Sequence, residues 1–536
     1  MYLGIDFGTC FSSIAGLGDG NKALPNTHIF EKHVKGIPSL FMYSKEKDKN
    51  LFGDDCLKGE AKLHSADIVR YMKKLIRRNA DHPQVTSGGK TFDVFDIVKA
   101  YLHYLITTAQ QKAVDSHEFR KPEIEGITVT TPNGIAGGHT TATDYNNWLR
   151  KTIMDIAGLP LKNISVLPEP LAAAIYYLYG EDVRKKYTEK QTVLVFDLGG
   201  GTLDVTIVEH DQSAAKQYNV KAETGDLTLG GNDWDTALAN HILQQKGIRE
   251  EDFSAEEKAR FYEDVTRLKE ELSEMDSFEI PLRCGGTYSS AVCTREEFDR
   301  VTVGLLNRAI EITKKAIRIY QTNNAYTKLD KIVLVGGASN MPQIKERMIA
   351  EFGHTVGTDH IIRHEPSKAI AKGAAIYTKH FSNRRTSTIF SAPKLKINEI
   401  ATRTYGFNAI HPHDKRHMIY NMLYKGTSFD KQNKICVRSP FPFVALDPHA
   451  DSITFTVYES EAMKGSSGNE NENWMEYGAN EVPNGMNVRV TIPEKYHDRA
   501  DTYECFPEFS LDKNGILEIS VYDIGGHQLA CDRKKV

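Results

Sequence analysis

Two segments far apart in the chain, GIDFGTCFSSIAGL at residues 4–17 and VLVFDLGGGTLDVTIVE at residues 193–209, share one pattern. Each has an apolar run, an aspartate, one further residue, a glycine-bearing turn, a threonine and a second apolar run. Each reads as a strand, a tight turn and a returning strand. The repeat predicts an α/β unit present twice, with a ligand held between the related turns. At 536 residues the chain exceeds what one hydrophobic core serves, so further domains are expected.

The turns carry the chemistry. Glycine lets backbone N–H groups approach phosphate oxygens that a side chain would hold off. Gly8, Gly199, Gly200 and Gly201 supply such amides, and Thr9 and Thr202 add hydroxyl donors. Asp6 and Asp197 end their strands at equivalent places, where two carboxylates can hold a magnesium ion, directly or through its waters, beside the phosphates. A single turn of this kind is as often a plain hairpin as a phosphate site; two copies argue for the site.

A competing phosphate motif fails. GGKT at 88–91 suggests a P-loop, but Gln84 stands where the first glycine is required, so the segment reads as a hairpin turn. KIVLVGGASNMPQIKERM at 331–348 reads as a buried strand, a turn at Gly336 and Gly337, and a Pro-led helix, a shape able to seat a nucleoside.

Composition narrows the partners. Lys plus Arg number 67 against 71 Asp plus Glu, so no broad cationic surface is available for nucleic acid. The seven cysteines are scattered and form no C-x-x-C pair, which argues for reduced thiols and a cytoplasmic setting. The start, MYLGIDFGT, lacks a secretory pattern, and no apolar run approaches membrane-spanning length, so no membrane association is expected.

Helical periodicities fill the intervals between strands, as α/β architecture requires. Capping boxes at Ser254 to Glu257 and Thr294 to Glu297 open two long helices, over 254–275 and 294–319. Past about residue 380 short strand candidates take over. Ile453, Phe455 and Val457 alternate with polar residues, as do Leu517, Ile519 and Val521, so this part reads as all-β. KGSSGNENEN at 464–473 reads as a mobile loop. HPHDKRH, with His411, His413 and His417, lacks the spacing of a metal site and reads as a solvated turn.

GIDFGT, VLPEPLAAAIYY at 166–177, FDLGGGTLDV, TGDLTLGGNDWD at 224–235 and VLVGGASNMP stand in an order and spacing that resemble the heat-shock protein 70 chaperone family. The resemblance implies an α/β actin-like ATPase domain of two lobes over 1–382, a linker over 383–399, and a β-sandwich over 400–536 that holds extended, unfolded peptide segments. It also implies the cofactors ATP, ADP and magnesium, with potassium as an additional ion, and co-chaperones and a nucleotide-exchange factor as partners.

Carried over position by position, Asp6, Thr9, Gly199, Gly200, Gly201 and Thr202 match the family's phosphate loops. Asp197 and Glu169 match its magnesium and attacking-water network, and Lys73 its catalytic lysine, with Thr202 beside them as a sensor of the γ-phosphate. Gly230 and Gly231 match a third glycine turn, and Lys269 and Ser273 the surroundings of the base. The departures are Cys10 and Phe11 after the first phosphate threonine, Glu270 where relatives carry an adenine-stacking arginine, and Ala338 and Asn340 where Ser and Arg are usual. Each lost guanidinium plane costs about 1 kcal/mol of base affinity.

In the β part, TRTYGFNAI, MIYNMLYKGTSFDKQ and SITFTVYES resemble the start of the family's sandwich, which places Phe407, Ile410 and Ile453 along a peptide groove. KLKINEI is basic where the family's linker is acidic and leucine-rich. The sequence ends where the family continues into a helical lid, so a form without that lid is expected. An ATP-dependent chaperone is the leading reading. A nucleotide-sensing adaptor docking one partner, and an actin-like small-molecule kinase, are the alternatives.

Overall fold

The computed structural model describes all residues except 19–26, 31–34, 79–81, 120, 133–141, 184–189, 212–216, 324–327, 381–395, 399, 402, 413–414, 431, 461–472, 476–481 and 513–514. Nearly all of the expected linker and of the loop at 464–473 therefore lies outside the described residues, as does His413. The chain divides near residue 396 into two compact units, the second made chiefly of residues 397–536.

The repeat read in the sequence is a repeat of topology. In the first unit Tyr2–Asp6 pairs antiparallel with Phe11–Leu17 and parallel with Gly126–Thr131, which pairs parallel with Ile164–Pro168. Lys190–Leu198 does the same with Leu203–Asp211, Lys331–Val335 and, one strand out, Ile361–Arg363. Both hairpins are buried on both faces, which is why their sequences are nearly continuous in apolar residues.

Each outer parallel strand leads into a helix, Glu169–Val183 and Ala369–His380. The helices cross at Gly373, where an added Cβ would lie 1.8 Å from the Ala172 carbonyl oxygen. The second helix also lies on the first sheet: a Cβ on Gly4 would meet the Ala371 carbonyl oxygen at 2.2 Å. Thr378 Oγ1 donates to the Leu3 carbonyl at 3.0 Å. The approaches at Gly4 and Leu3 fix the strand that carries Asp6.

The capping boxes form as read. Ser254 N–H donates to Glu257 Oε2 at 3.0 Å, opening the helix Ala255–Glu271. Thr294 N–H donates to Glu297 at 2.9 Å, opening Arg295–Asn323. Gly88 and Gly89, both at positive φ, turn the hairpin between Gln84–Ser87 and Lys90–Asp93, so GGKT is no P-loop. Among the described residues no helix is long and apolar enough to cross a membrane.

The second unit is a sandwich. One sheet runs in the order Trp474–Met475, His417–Leu423, Thr404–Ile410, Ser452–Ser460, Val482–Thr491, and the other Lys434–Arg438, Phe506–Asp512, Ile516–Tyr522, Gln528–Lys535. Phe455, Val457, Leu517, Ile519 and Val521 are buried in its core, in accord with their alternation in the sequence. His411 packs its ring against Trp474, and His417 is exposed.

Candidate functional site

The two hairpin turns face each other. An added Cβ on Gly201 would stand 3.1 Å from Thr9 Oγ1, and one on Gly200 would stand 2.4 Å from Cys10 Sγ. The third glycine turn docks on the second: Gly231 N–H donates to the Gly199 carbonyl at 2.9 Å and Asn232 N–H to the Gly200 carbonyl at 2.8 Å. A Cβ on Gly230 would fall 2.5 Å from the Gly201 backbone, so the stack of turns admits no side chain there. Cys10 Sγ donates to Asn232 Oδ1 at 3.2 Å and thereby joins the first turn to the third. Burial pushes that thiol up to about 11, which leaves it neutral and unreactive.

Between the turns opens a cleft of about 710 Å³. Lining it are Asp6, Gly8, Thr9, Cys10, Phe11, Lys73, Glu169, Asp197, Gly199, Gly200, Thr202, Gly231, Lys269, Ser273, Gly336, Gly337, Ala338 and Asn340. The structure thus brings together eighteen residues proposed from the sequence. Gly201 and Gly230 do not line the cleft; they stand behind it, where the turns touch.

The charged groups are layered. Lys73 is buried and ion-paired with Glu169, and its ammonium lies 5.8 Å from the Phe7 ring centroid. Asp197 is buried beside them, and among the described residues its Oδ2 has no hydrogen-bond partner. Burial first, then the charges of Glu169, Asp204 and Asp6, hold the Asp197 carboxyl well above the usual carboxylate range, with Lys73 acting the other way. An orphaned oxygen among like charges fits a cation of high charge. Among the described residues no cluster of three or more His, Cys, Asp or Glu side chains could hold a metal alone, so such an ion would need waters and ligand oxygens.

At the other end Lys269 bridges two elements. Its ammonium lies 2.7 Å from Asp235 and donates to the Gly231 carbonyl at 3.0 Å. Burial raises Asp235 above its ordinary value even with that partner. Glu270 turns to Lys35, 2.6 Å away, at the exposed rim. Arg363 holds the third glycine segment by donating to the Ser339 and Met341 carbonyls at 3.1 and 3.2 Å. Gly336 has a φ of +81, and a Cβ there would strike the Leu198 carbonyl.

Asn232 and Asp235 lie within TGDLTLGGNDWD, and their spacing after Gly231 is the signal in the sequence that marks them for the site. Arg70, Tyr71, Lys35 and Glu263 also line the cleft, and nothing local in the sequence marks them.

The three residues expected along a peptide groove are not brought to one surface. Phe407 is fully buried at the centre of the sandwich, ringed by Phe443, Phe455, Tyr420 and Phe509 at 4.8, 5.2, 5.9 and 6.1 Å. That placement corrects the expectation for Phe407: large aromatic neighbours from both sheets enclose it, so it is core. Ile453 is half-buried against the same core. Ile410 is half-buried near the end of its strand, an odd number of residues from Phe407 and so on the other side of it.

A family model described as Hsp70 protein matches residues 2–392. The chaperone protein HscA homolog of Variovorax paradoxus is 29% identical over 388 residues, covering 70% of this chain and 57% of that protein. A ribosome-associated molecular chaperone of Eremothecium gossypii is 28% identical, over 70% of this chain and 60% of its own. The ribosome-associated molecular chaperone of the same name in Zygosaccharomyces rouxii is 24% identical over 97% of this chain and 79% of its own, a likeness that runs through the sandwich. The matched region spans about three-fifths of the length of the first two relatives.

Proposed function

Because the chain belongs to the Hsp70 family, we propose that it is an ATP-dependent molecular chaperone. In this reading the first unit, an actin-like ATPase domain, hydrolyses ATP to ADP and phosphate, and the sandwich binds extended apolar peptide segments whose release the nucleotide controls. One observation carries the reading: two glycine turns of a duplicated fold face each other across a cleft that contains the buried Lys73–Glu169 pair and Asp197. Relatives named as chaperones favour this over the adaptor and the kinase.

Backbone N–H groups of the turns at Gly8 and Gly200 donate to the β- and γ-phosphates, with the Thr9 and Thr202 hydroxyls beside them. Glu169 and Asp197 accept hydrogen bonds from the attacking water and orient it. Lys73 meets the charge that develops on the transferred phosphoryl oxygens. No covalent nucleophile is needed, since phosphoryl transfer depends mostly on positioning and electrostatics. Asp6 and Asp197 would hold magnesium through its waters, and the ion's charge would offset that of the phosphates. Lys269 and Ser273 border the sugar and base, with Gly336, Gly337, Ala338 and Asn340 on the facing wall. Ile410 and Ile453, both half-buried, remain the groove candidates on the sandwich. The free cysteines Cys10, Cys56, Cys284, Cys293, Cys436, Cys505 and Cys531 support a reducing, cytoplasmic setting.

The test is ATP turnover by the purified chain with no acceptor present. Release of phosphate by the wild type and none by Lys73→Ala is the expected result. Turnover that appears only with a small-molecule acceptor would make the protein a kinase.

A further inference from the structure

Seven non-glycine residues adopt positive φ among the described residues, and only one of them, Tyr71, lines the cleft. Its φ is +58. Asparagine, aspartate and histidine are the side chains that tolerate this region, and a bulky aromatic there is an outlier. Such outliers gather at binding and catalytic sites, where the surroundings hold the strain.

The neighbours show what holds it. The Tyr71 carbonyl accepts from Lys74 N–H at 2.8 Å and Leu75 N–H at 3.1 Å, and so opens the short helix Met72–Arg78 that carries Lys73. On one side Arg70 is ion-paired with Glu263, and on the other Lys73 is paired with Glu169. With both anchored, the Tyr71 ring stays at the cleft, 38% exposed, and its hydroxyl has no hydrogen-bond partner among the described residues. Burial first, then the proximity of Cys10 and Asp235, raises the hydroxyl above its ordinary value. Tyr71 lines the cleft together with Cys10, which belongs to the first phosphate turn, and with Asp235 and Lys269 at the base end.

A turn that served only to start the helix would be met without strain by glycine or asparagine. We propose that Tyr71 is a nucleotide-contacting residue, its ring covering the sugar–phosphate stretch between the glycine turns and Lys269 and its hydroxyl donating to that stretch. This assignment rests on the cleft being the ATP site.

The test uses the full chain and titrates ADP with magnesium by calorimetry into the wild type, Tyr71→Asn and Tyr71→Phe, with thermal unfolding measured without nucleotide. Tyr71→Asn is expected to melt no lower than the wild type, because the strain is relieved, yet to bind ADP about tenfold more weakly. Tyr71→Phe is expected to lose about threefold. Equal or greater stability with weaker binding is a combination that a purely structural tyrosine does not produce. Affinity within twofold of the wild type in Tyr71→Asn overturns the proposal and leaves the ATP reading standing. Absence of ADP binding by the wild type overturns that reading, and this contact with it. Should Tyr71→Asn not fold, Tyr71→Phe decides, and undiminished affinity there overturns the proposal.

Discussion

Lys73 and Glu169 form an ion pair in which both side chains are buried, joining the start of a short helix to the helix that follows an outer strand of the first sheet. Removing one partner of such a pair leaves an uncompensated buried charge and typically costs about 3–5 kcal/mol. Lys73→Ala is therefore predicted to abolish hydrolysis, to keep most ATP binding, and to lower the melting temperature. Adding Glu169→Gln should restore part of that stability without restoring turnover, since the two effects share one pair. Single-turnover hydrolysis and thermal unfolding check both halves, and unchanged turnover in Lys73→Ala would remove it from the mechanism.

Asp197 poses the opposite problem, a carboxylate whose neighbours are mostly acids and whose Oδ2 lacks a hydrogen-bond partner among the described residues. Asp197→Asn is predicted to stabilise the nucleotide-free protein by on the order of 1 kcal/mol. The same change should erase most hydrolysis and reduce the extra stability that magnesium gives in the presence of ADP. Differential scanning calorimetry with and without magnesium reads this directly, and a variant less stable than the wild type in the absence of ligand would contradict it.

At the base end, Glu270 and Lys35 form a rim pair worth little in water. Glu270→Arg is predicted to tighten ADP binding by about fivefold, the return from one guanidinium plane over the base at about 1 kcal/mol. Calorimetric titration checks it, and weaker binding would show that the carboxylate itself helps to hold the nucleotide.

The helix Ala255–Glu271 carries a pH-dependent cap. The Ser254 backbone N–H first, then its hydroxyl and the Gly286 N–H, hold Glu257 down to about 2. The folded value lies below the unfolded one of about 4.3, so the contribution of this group is full above that pH and is lost as pH falls toward 2. The gap in melting temperature between the wild type and Glu257→Ala should therefore be widest near neutrality and should close between about pH 4 and pH 2.

What the sequence disclosed depended on whether the constraint was local. The hairpins at Asp6 and Asp197 were legible because a backbone that approaches phosphate must be glycine-rich, and the two copies share one register logic. Gly230 matched a motif, but its reason appears only in space, where Gly201 leaves no room for a Cβ. Arg70 with Glu263 and Lys35 with Glu270 join segments remote in sequence, and a lone arginine or lysine carries no sign of its partner. Tyr71 could not be singled out, because a left-handed backbone is set by the anchors on either side of it. Phe407 was placed by resemblance alone, and whether its side met the opposite sheet or a ligand was decided by Phe443, Phe455 and Phe509 from other segments of the chain.

The most direct test of the account is the dissociation rate of a labelled apolar heptapeptide from the purified protein, measured with and without magnesium and ATP. Faster release with ATP is the predicted result, and Lys73→Ala, which still binds ATP, should keep it. Peptide that binds and leaves at the same rate whether or not ATP is present would contradict nucleotide control of the sandwich.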